Sequence, residues 1–164
     1  PIDVELRGDG VDRAHAEGRN IFLAIAPGGQ GDITKTHVRW EQNKNLPYCP
    51  SPLFYRDRIY LVKDGGIFSV LDAANGDVLK QARLKATGNY YASPIAGDGK
   101  IYLLSQNGEL TVISAQDGWE ELHTVSFDAD GHATPALADG RLFVRVGSQL
   151  FCFGLPDQPS DRAE

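Results

Sequence analysis

Four histidines, His15, His37, His123 and His132, are the first residues that could do chemistry. A metal centre needs imidazoles that return to one face, as His-x-His or His-Glu-x-x-His provide, and neither spacing occurs. His37 and His123 fall instead on predicted outer strands, so no metal site is expected. The run Gly28-Gly29-Gln30-Gly31-Asp32 is glycine-rich, but no P-loop lysine follows it and no helix opens after it. A phosphate cradle would lack its point charge and its dipole, which leaves a loop between strands. Neither Gly-x-Ser-x-Gly nor a catalytic Cys/His signature is present. Asp128 and Asp130 flank a turn without the oxygen count of a calcium loop. Cys49 and Cys152, the only cysteines, form no C-x-x-C pair. They read as unpaired thiols packed as small hydrophobes, with a disulfide or a reactive thiol as the alternatives. No catalytic, metal or cofactor ligand is assigned.

What remains is a set of aromatic and polar residues that recur at equivalent places. Tyr48 and Cys49, then Asn89, Tyr90 and Tyr91, then Asp130 and His132 each stand just before a Ser/Thr-Pro pair. Lys63-Asp64, Gln106-Asn107 and Arg145 are expected in turns that open on the same side. Aromatic bodies with polar tips grip a peptide or a sugar well. The alternative is that these tyrosines pack between structural units. Either way, something must place three segments about forty residues apart on one rim.

The element that does so is a repeat. Ser51-Pro52-Leu53, Ser93-Pro94-Ile95 and Thr134-Pro135-Ala136 recur at spacings of 42 and 41 residues. Each is followed by a turn, at Asp57, Asp98-Gly99 or Asp139-Gly140, and then by an apolar strand: 58–62, 100–104 or 141–145. A further alternating strand follows at 67–71, 109–113 and 149–153. The turns 72–76 and 114–118 then lead to outer strands expected at about 77–84 and 119–127. Four short antiparallel strands per unit of about 42 residues is the arithmetic of a propeller blade. A β-sandwich is the runner-up, but it would not repeat one turn chemistry in one order three times.

The fold class expected is therefore all-β: a β-propeller fragment of about three and a half four-stranded antiparallel blades. Residues 1–45 read as a partial blade with an insertion loop from Gly8 to Arg19, whose Trp40 aligns with Lys80 of the next blade. Residues 46–88 and 89–130 are blades, 131–154 is an incomplete last blade of three strands, and 155–164 is a tail expected to be disordered. Composition agrees. The chain has 164 residues, 41% of them apolar and 23% charged, with eighteen glycines and nine prolines spread along it as turns require. A net charge of −6 without any Lys/Arg run argues against nucleic-acid partners. The longest apolar stretch, 21–26, is far too short to span a bilayer.

Leu71-Asp72-Ala73-x-x-Gly76, with Trp40 at the outer-strand position of the preceding blade, resembles the Ala-x-x-x-Gly-x-x-x-Trp signature of pyrroloquinoline-quinone (PQQ)-type repeats. The order of Ala26-Pro27-Gly28-Gly29, Pro47-x-x-Pro50-Ser51-Pro52, Tyr90-Tyr91-Ala92-Ser93-Pro94 and Leu150-Phe151-Cys152-Phe153-Gly154 is similar to the C-terminal part of bacterial PQQ-binding-like propellers. That resemblance implies a periplasmic or secreted parent of seven or eight blades, acting as a non-catalytic scaffold for a protein or peptide partner, as outer-membrane assembly propellers do. It does not imply that the quinone is bound. The alternative is part of a quinone- or metal-dependent oxidoreductase whose active residues lie outside this sequence. The vicinal cysteine pair often found in the quinone enzymes is absent, and Lys80 stands where the signature places a Trp. A homodimer through exposed blade edges is a third expectation.

Overall fold

The computed structural model describes residues 3–8 and 20–154, with side chains from residue 20 onward. Residues 9–19 of the expected insertion loop, and the tail 155–164, lie outside the described residues. Fourteen strands form four antiparallel sheets, and no helix is present among the described residues. The first sheet holds β1 (Asp3–Gly8), β2 (Asn20–Ile25) and β3 (Val38–Gln42). The second holds β4 (Leu53–Tyr55), β5 (Arg58–Lys63), β6 (Ile67–Asp72) and β7 (Val78–Arg83). The third holds β8 (Ile95–Gly97), β9 (Lys100–Leu104), β10 (Glu109–Ser114) and β11 (Glu121–Ser126). The fourth holds β12 (Ala136–Ala138), β13 (Arg141–Val146) and β14 (Gln149–Phe153). Strand order within each sheet follows the chain, so these are two four-stranded blades flanked by two three-stranded ones. Residues 3–8, which the sequence pattern left without a strand, pair fully with β2 from Asp3↔Ile25 to Gly8↔Asn20. Two apolar residues, Val4 and Leu6, are too short an alternation to announce a strand.

Turn chemistry sets the first hairpin of each blade. Arg56-Asp57, Asp98-Gly99 and Asp139-Gly140 all have positive φ at both positions, from 49° to 70°, as two-residue type I′ turns demand. Alternation then sends successive side chains to opposite faces, and both faces are buried. Ile59 and Leu61 of β5 meet Phe22, Ala24 and Trp40 of the first blade, while Tyr60 and Val62 meet Ile101 and Leu103 of the third. Leu104 and Leu110 meet Val144 and Val146 of the fourth. Three apolar layers thus join four blades face to face. At the inner edge β8 adjoins both β4 and β12. Here the Ser/Thr-Pro repeat has its physical reason: Ser51 N donates to Ser93 Oγ at 2.9 Å, and Ser93 N donates to Thr134 Oγ1 at 3.0 Å. Each hydroxyl satisfies a backbone donor of the blade before it.

At the outer edge one blade docks a side chain into the next. Trp40 pairs with Ala24 across β2–β3, just before the bulge of that strand pair, and lies edge-on to Phe22 at 5.4 Å. Its Nε1 donates to Ala73 O at 3.1 Å, inside the turn of the second blade. Gly76 has a φ of 77°, and a Cβ there would come within 2.6 Å of the indole. Only glycine fits both the backbone and the ring.

Lys80 occupies the same register in the second blade, opposite Val70 and before the same bulge. Its Nζ donates to Trp119 O at 2.5 Å and lies 4.5 Å from the Trp119 ring centroid. Trp119 belongs to the receiving blade, in the turn that precedes β11 and not on the outer strand itself. It is 4% exposed and meets Phe68 edge-on at 5.1 Å. The indole that fills this interface therefore comes from the blade that elsewhere accepts one.

Gly76→Ala should cost about 3 kcal/mol, from left-handed backbone strain plus the clash with Trp40. Gly140→Ala, at a φ of 70° with no heavy atom near its Cβ, should cost only about 1 kcal/mol. Equilibrium urea unfolding of the two variants measures both, and equal losses would remove Trp40 from its role as the dock.

Candidate binding rim

Apart from Lys63, at the end of β5, and Arg145, within β13, the expected rim residues lie on two kinds of segment: the linkers that enter each blade, and the hairpins between its second and third strands. Backbone hydrogen bonds clamp the linkers into the third and fourth sheets from both sides. Gly65 N donates to Gly88 O at 3.1 Å, and Gln106 N donates to Asn89 O at 2.8 Å. Gly131 N donates to Gln106 O at 2.9 Å, and Gly147 N donates to Asp130 O at 2.8 Å. Asp64 Oδ1 accepts from Tyr90 N at 3.1 Å. The carboxylate of one blade thus holds the entry strand of the next. Asn107 reaches Thr87 Oγ1 at 3.4 Å, and Thr87 N donates to Glu109 Oε2 at 2.8 Å. These bonds bring Lys63, Asp64, Asn89, Gln106, Asn107 and Asp130 together along one edge of the blades.

Side-chain placement sorts the candidates further. Tyr48 is 74% exposed, and Asn89, Asn107, Asp130 and His132 are exposed as well. Tyr90 is not: at 0% exposure it belongs to the core between the second and third blades, with Tyr60, Val62 and Phe68. The competing expectation, packing between blades, applies to this tyrosine. Burial pushes its phenol well above the ordinary range, with the Glu109 and Glu121 carboxylates adding to the shift, so it stays protonated. Tyr91 turns the other way and stacks on His132, with ring centroids 5.7 Å apart and planes at 18°. Cys49, Tyr91 and His132 share one position of the repeat, each two residues before its Ser/Thr-Pro pair.

Arg145 lies within β13, in line with the strand expected at 141–145 and not in the turn that the rim reading gave it, and it stands opposite Leu150 in the strand register. Asp130, His132, Ala133, Arg145 and Gly147 line an open pocket of about 170 Å³. Cys49 and Cys152 are both free thiols and both exposed, and Cys49 does not pack as a small hydrophobe. The sequence named Tyr91 and His132 without their stacking, for which the shared repeat position was the available signal. Among the described residues no group of three His, Cys, Asp or Glu side chains could hold a metal ion, and no helix is long and apolar enough to cross a membrane.

The family model described as outer membrane protein assembly factor BamB, of the PQQ-repeat type, matches residues 8–153. BamB from Moraxella catarrhalis superposes with a TM-score of 0.62 at 20% identity, over 81% of this chain and 39% of that one. The chain therefore spans well under half the length of that relative. A quinohemoprotein alcohol dehydrogenase, ADHIIG from Pseudomonas putida HK5, matches with a TM-score of 0.51 at 15% identity, over 65% of this chain and 18% of that one. No curated protein matches. At these identities the structural likeness carries the fold, and the family match carries the kinship. With its repeated hairpins, face-to-face blades and a family match along nearly its whole length, the chain belongs to the BamB-like family of PQQ-repeat β-propellers.

Proposed function

We propose that this chain is a non-catalytic section of a propeller whose linker rim binds a protein or peptide partner, within a periplasmic or secreted parent that acts as a scaffold. The observation that carries the reading is the stacked Tyr91–His132 pair on linkers clamped by backbone hydrogen bonds, with Tyr48 and Asn89 exposed on linkers and Asn107 exposed on the adjoining hairpin. A pre-organised aromatic platform binds without a large ordering cost. Loops on a rigid scaffold are where propellers place recognition. Kinship with an outer-membrane assembly factor supports the protein-binding role and the compartment. The competing assignment, a quinone- or metal-dependent oxidoreductase, predicts the opposite response to cofactor.

A random peptide library displayed on phage tests the rim. Peptides selected on the whole chain should lose at least about tenfold in affinity against Tyr91→Ala or Tyr48→Ala, the size expected for removing an aromatic anchor. Melting temperature should not move with PQQ and Ca²⁺. Peptides indifferent to both substitutions, or a rise of several degrees with PQQ and Ca²⁺, would overturn the reading.

The clamp itself is testable. Asp64→Ala should cost about 1–3 kcal/mol, because the Tyr90 amide loses its acceptor, and should speed hydrogen exchange at that amide. Asp64→Asn keeps an acceptor oxygen and should lose less.

A further inference from the structure

Five buried side-chain atoms among the described residues have no hydrogen-bond partner: Tyr60 Oη, Tyr90 Oη, Thr111 Oγ1, Trp119 Nε1 and Glu121 Oε2. All five belong to the interface between the second and third blades. Tyr60, Tyr90 and Trp119 are members of its apolar cluster, and alternation along β10 turns Thr111 to the same side as Ile113 of that cluster. Glu121 stands opposite Ile113 in the strand register, and its Oε1 accepts from Lys85 N, on the linker that leaves the second blade, at 2.9 Å. Among the described residues the other two interfaces hold no such atom. Buried polar groups are almost always paired, with protein or with ordered water, so orphans gathered at one interface call for an occupant.

Three of the five lie beneath one linker. Lys85 N is held by Glu121 of β11 and Thr87 N by Glu109 Oε2 of β10 at 2.8 Å, which pins the linker 84–90 against the third blade. Tyr90, at its end, is 0% exposed and turned inward. Burial raises its phenol, and the Glu109 and Glu121 carboxylates add to the shift, so its hydroxyl lies on the side where they stand. Thr111 sits between them, two residues after Glu109 and two before Ile113. Burial raises the Tyr60 phenol too, but the carboxylate that adds to that shift is Asp117, which sets its hydroxyl apart from the three. The repeat supplies a contrast. At the equivalent place of the second blade Ser69 Oγ accepts from Gln81 Nε2 across β6–β7 at 2.8 Å, whereas Thr124 stands opposite Thr111 and leaves it unpartnered.

Two hydroxyls and one carboxylate oxygen are too few ligands for a hard cation. A water uses all three: it accepts from Tyr90, donates to Glu121 and makes one bond with Thr111, the usual number for a buried water. We infer that an ordered water is bound beneath the 84–90 linker, bridging Tyr90 Oη, Thr111 Oγ1 and Glu121 Oε2. It ties the inward side of the segment whose next residue is Tyr91 to the sheet of the third blade, whatever the rim binds.

A high-resolution crystal structure of the whole chain should show one water within hydrogen-bond distance of all three oxygens. In solution Tyr90→Phe and Thr111→Val, which keep the packed shape and remove one hydroxyl each, should each lower the melting temperature by about 2–8 °C. The double variant should lose less than the sum, because the second substitution acts on a site whose water is already released. Thr111→Ser, which keeps the hydroxyl, should cost no hydrogen bond and leave the effect of Tyr90→Phe undiminished. Direct bonding of Tyr90 Oη to Glu121, electron density without a water between the three oxygens, or additive losses in the double variant would overturn the inference.

Discussion

A short antiparallel blade that is apolar on both faces cannot exist alone, and everything else in this molecule follows from that. In β5 the residues Ile59 to Val62 are all at most 2% exposed, two turned toward each neighbouring blade. Burying a side chain of this size contributes about 1.5–3 kcal/mol, against backbone ordering that costs about 1–2 kcal/mol for each residue fixed. Burial on one face alone would leave a four-stranded sheet near balance. Burial on both makes each blade depend on the next, so the stability of the chain is a property of its interfaces more than of its sheets. The small inner strands β4, β8 and β12, three residues each, pair with the second strand of their own blade and are tied to one another by hydrogen bonds to Ser93 and Thr134.

This dependence explains which parts of the structure were legible. Turn residues and alternation are local, so the type I′ hairpins at 56–57, 98–99 and 139–140, the strands they join and the blade repeat could all be read from residue types. Interface chemistry is not local. Lys80 looked like a decayed signature, yet the position still bridges two blades. Its ammonium reaches Trp119 O and lies over the Trp119 ring, a contact of about 0.5–2 kcal/mol, and the indole comes from the other side of the interface. The volume is conserved while its donor changes blade. A one-dimensional pattern sees a missing Trp at one position and an extra one 39 residues later. Only packing joins them.

The rim divides the same way. Repeat equivalence was enough to gather Lys63, Asp64, Asn89, Gln106, Asn107 and Asp130 on one edge, because hairpins and linkers at equal positions must return to equal places. It could not separate Tyr90 from Tyr91. Adjacent residues on an extended linker point to opposite sides, and which side is buried depends on whether the neighbouring blade offers an apolar hollow. Between the second and third blades it does, around Tyr60, Val62 and Phe68. Between the third and fourth the equivalent residue is Gly131, where a Cβ would come within 2.8 Å of Leu104. Tyrosine is admitted at one interface and excluded at the next.

That alternation also leaves the other side of the linker outside the core. Once Tyr90 anchors the segment inward and Asp64 and Gln106 satisfy its backbone, Tyr91 has no packing duty, and it meets His132 from the next linker instead. The stack lies outside the apolar clusters that join the blades, on segments that backbone hydrogen bonds hold still. Such a division lets rim side chains change with a partner while the blades beneath keep their register, which is how one propeller frame can serve scaffolds and oxidoreductases alike.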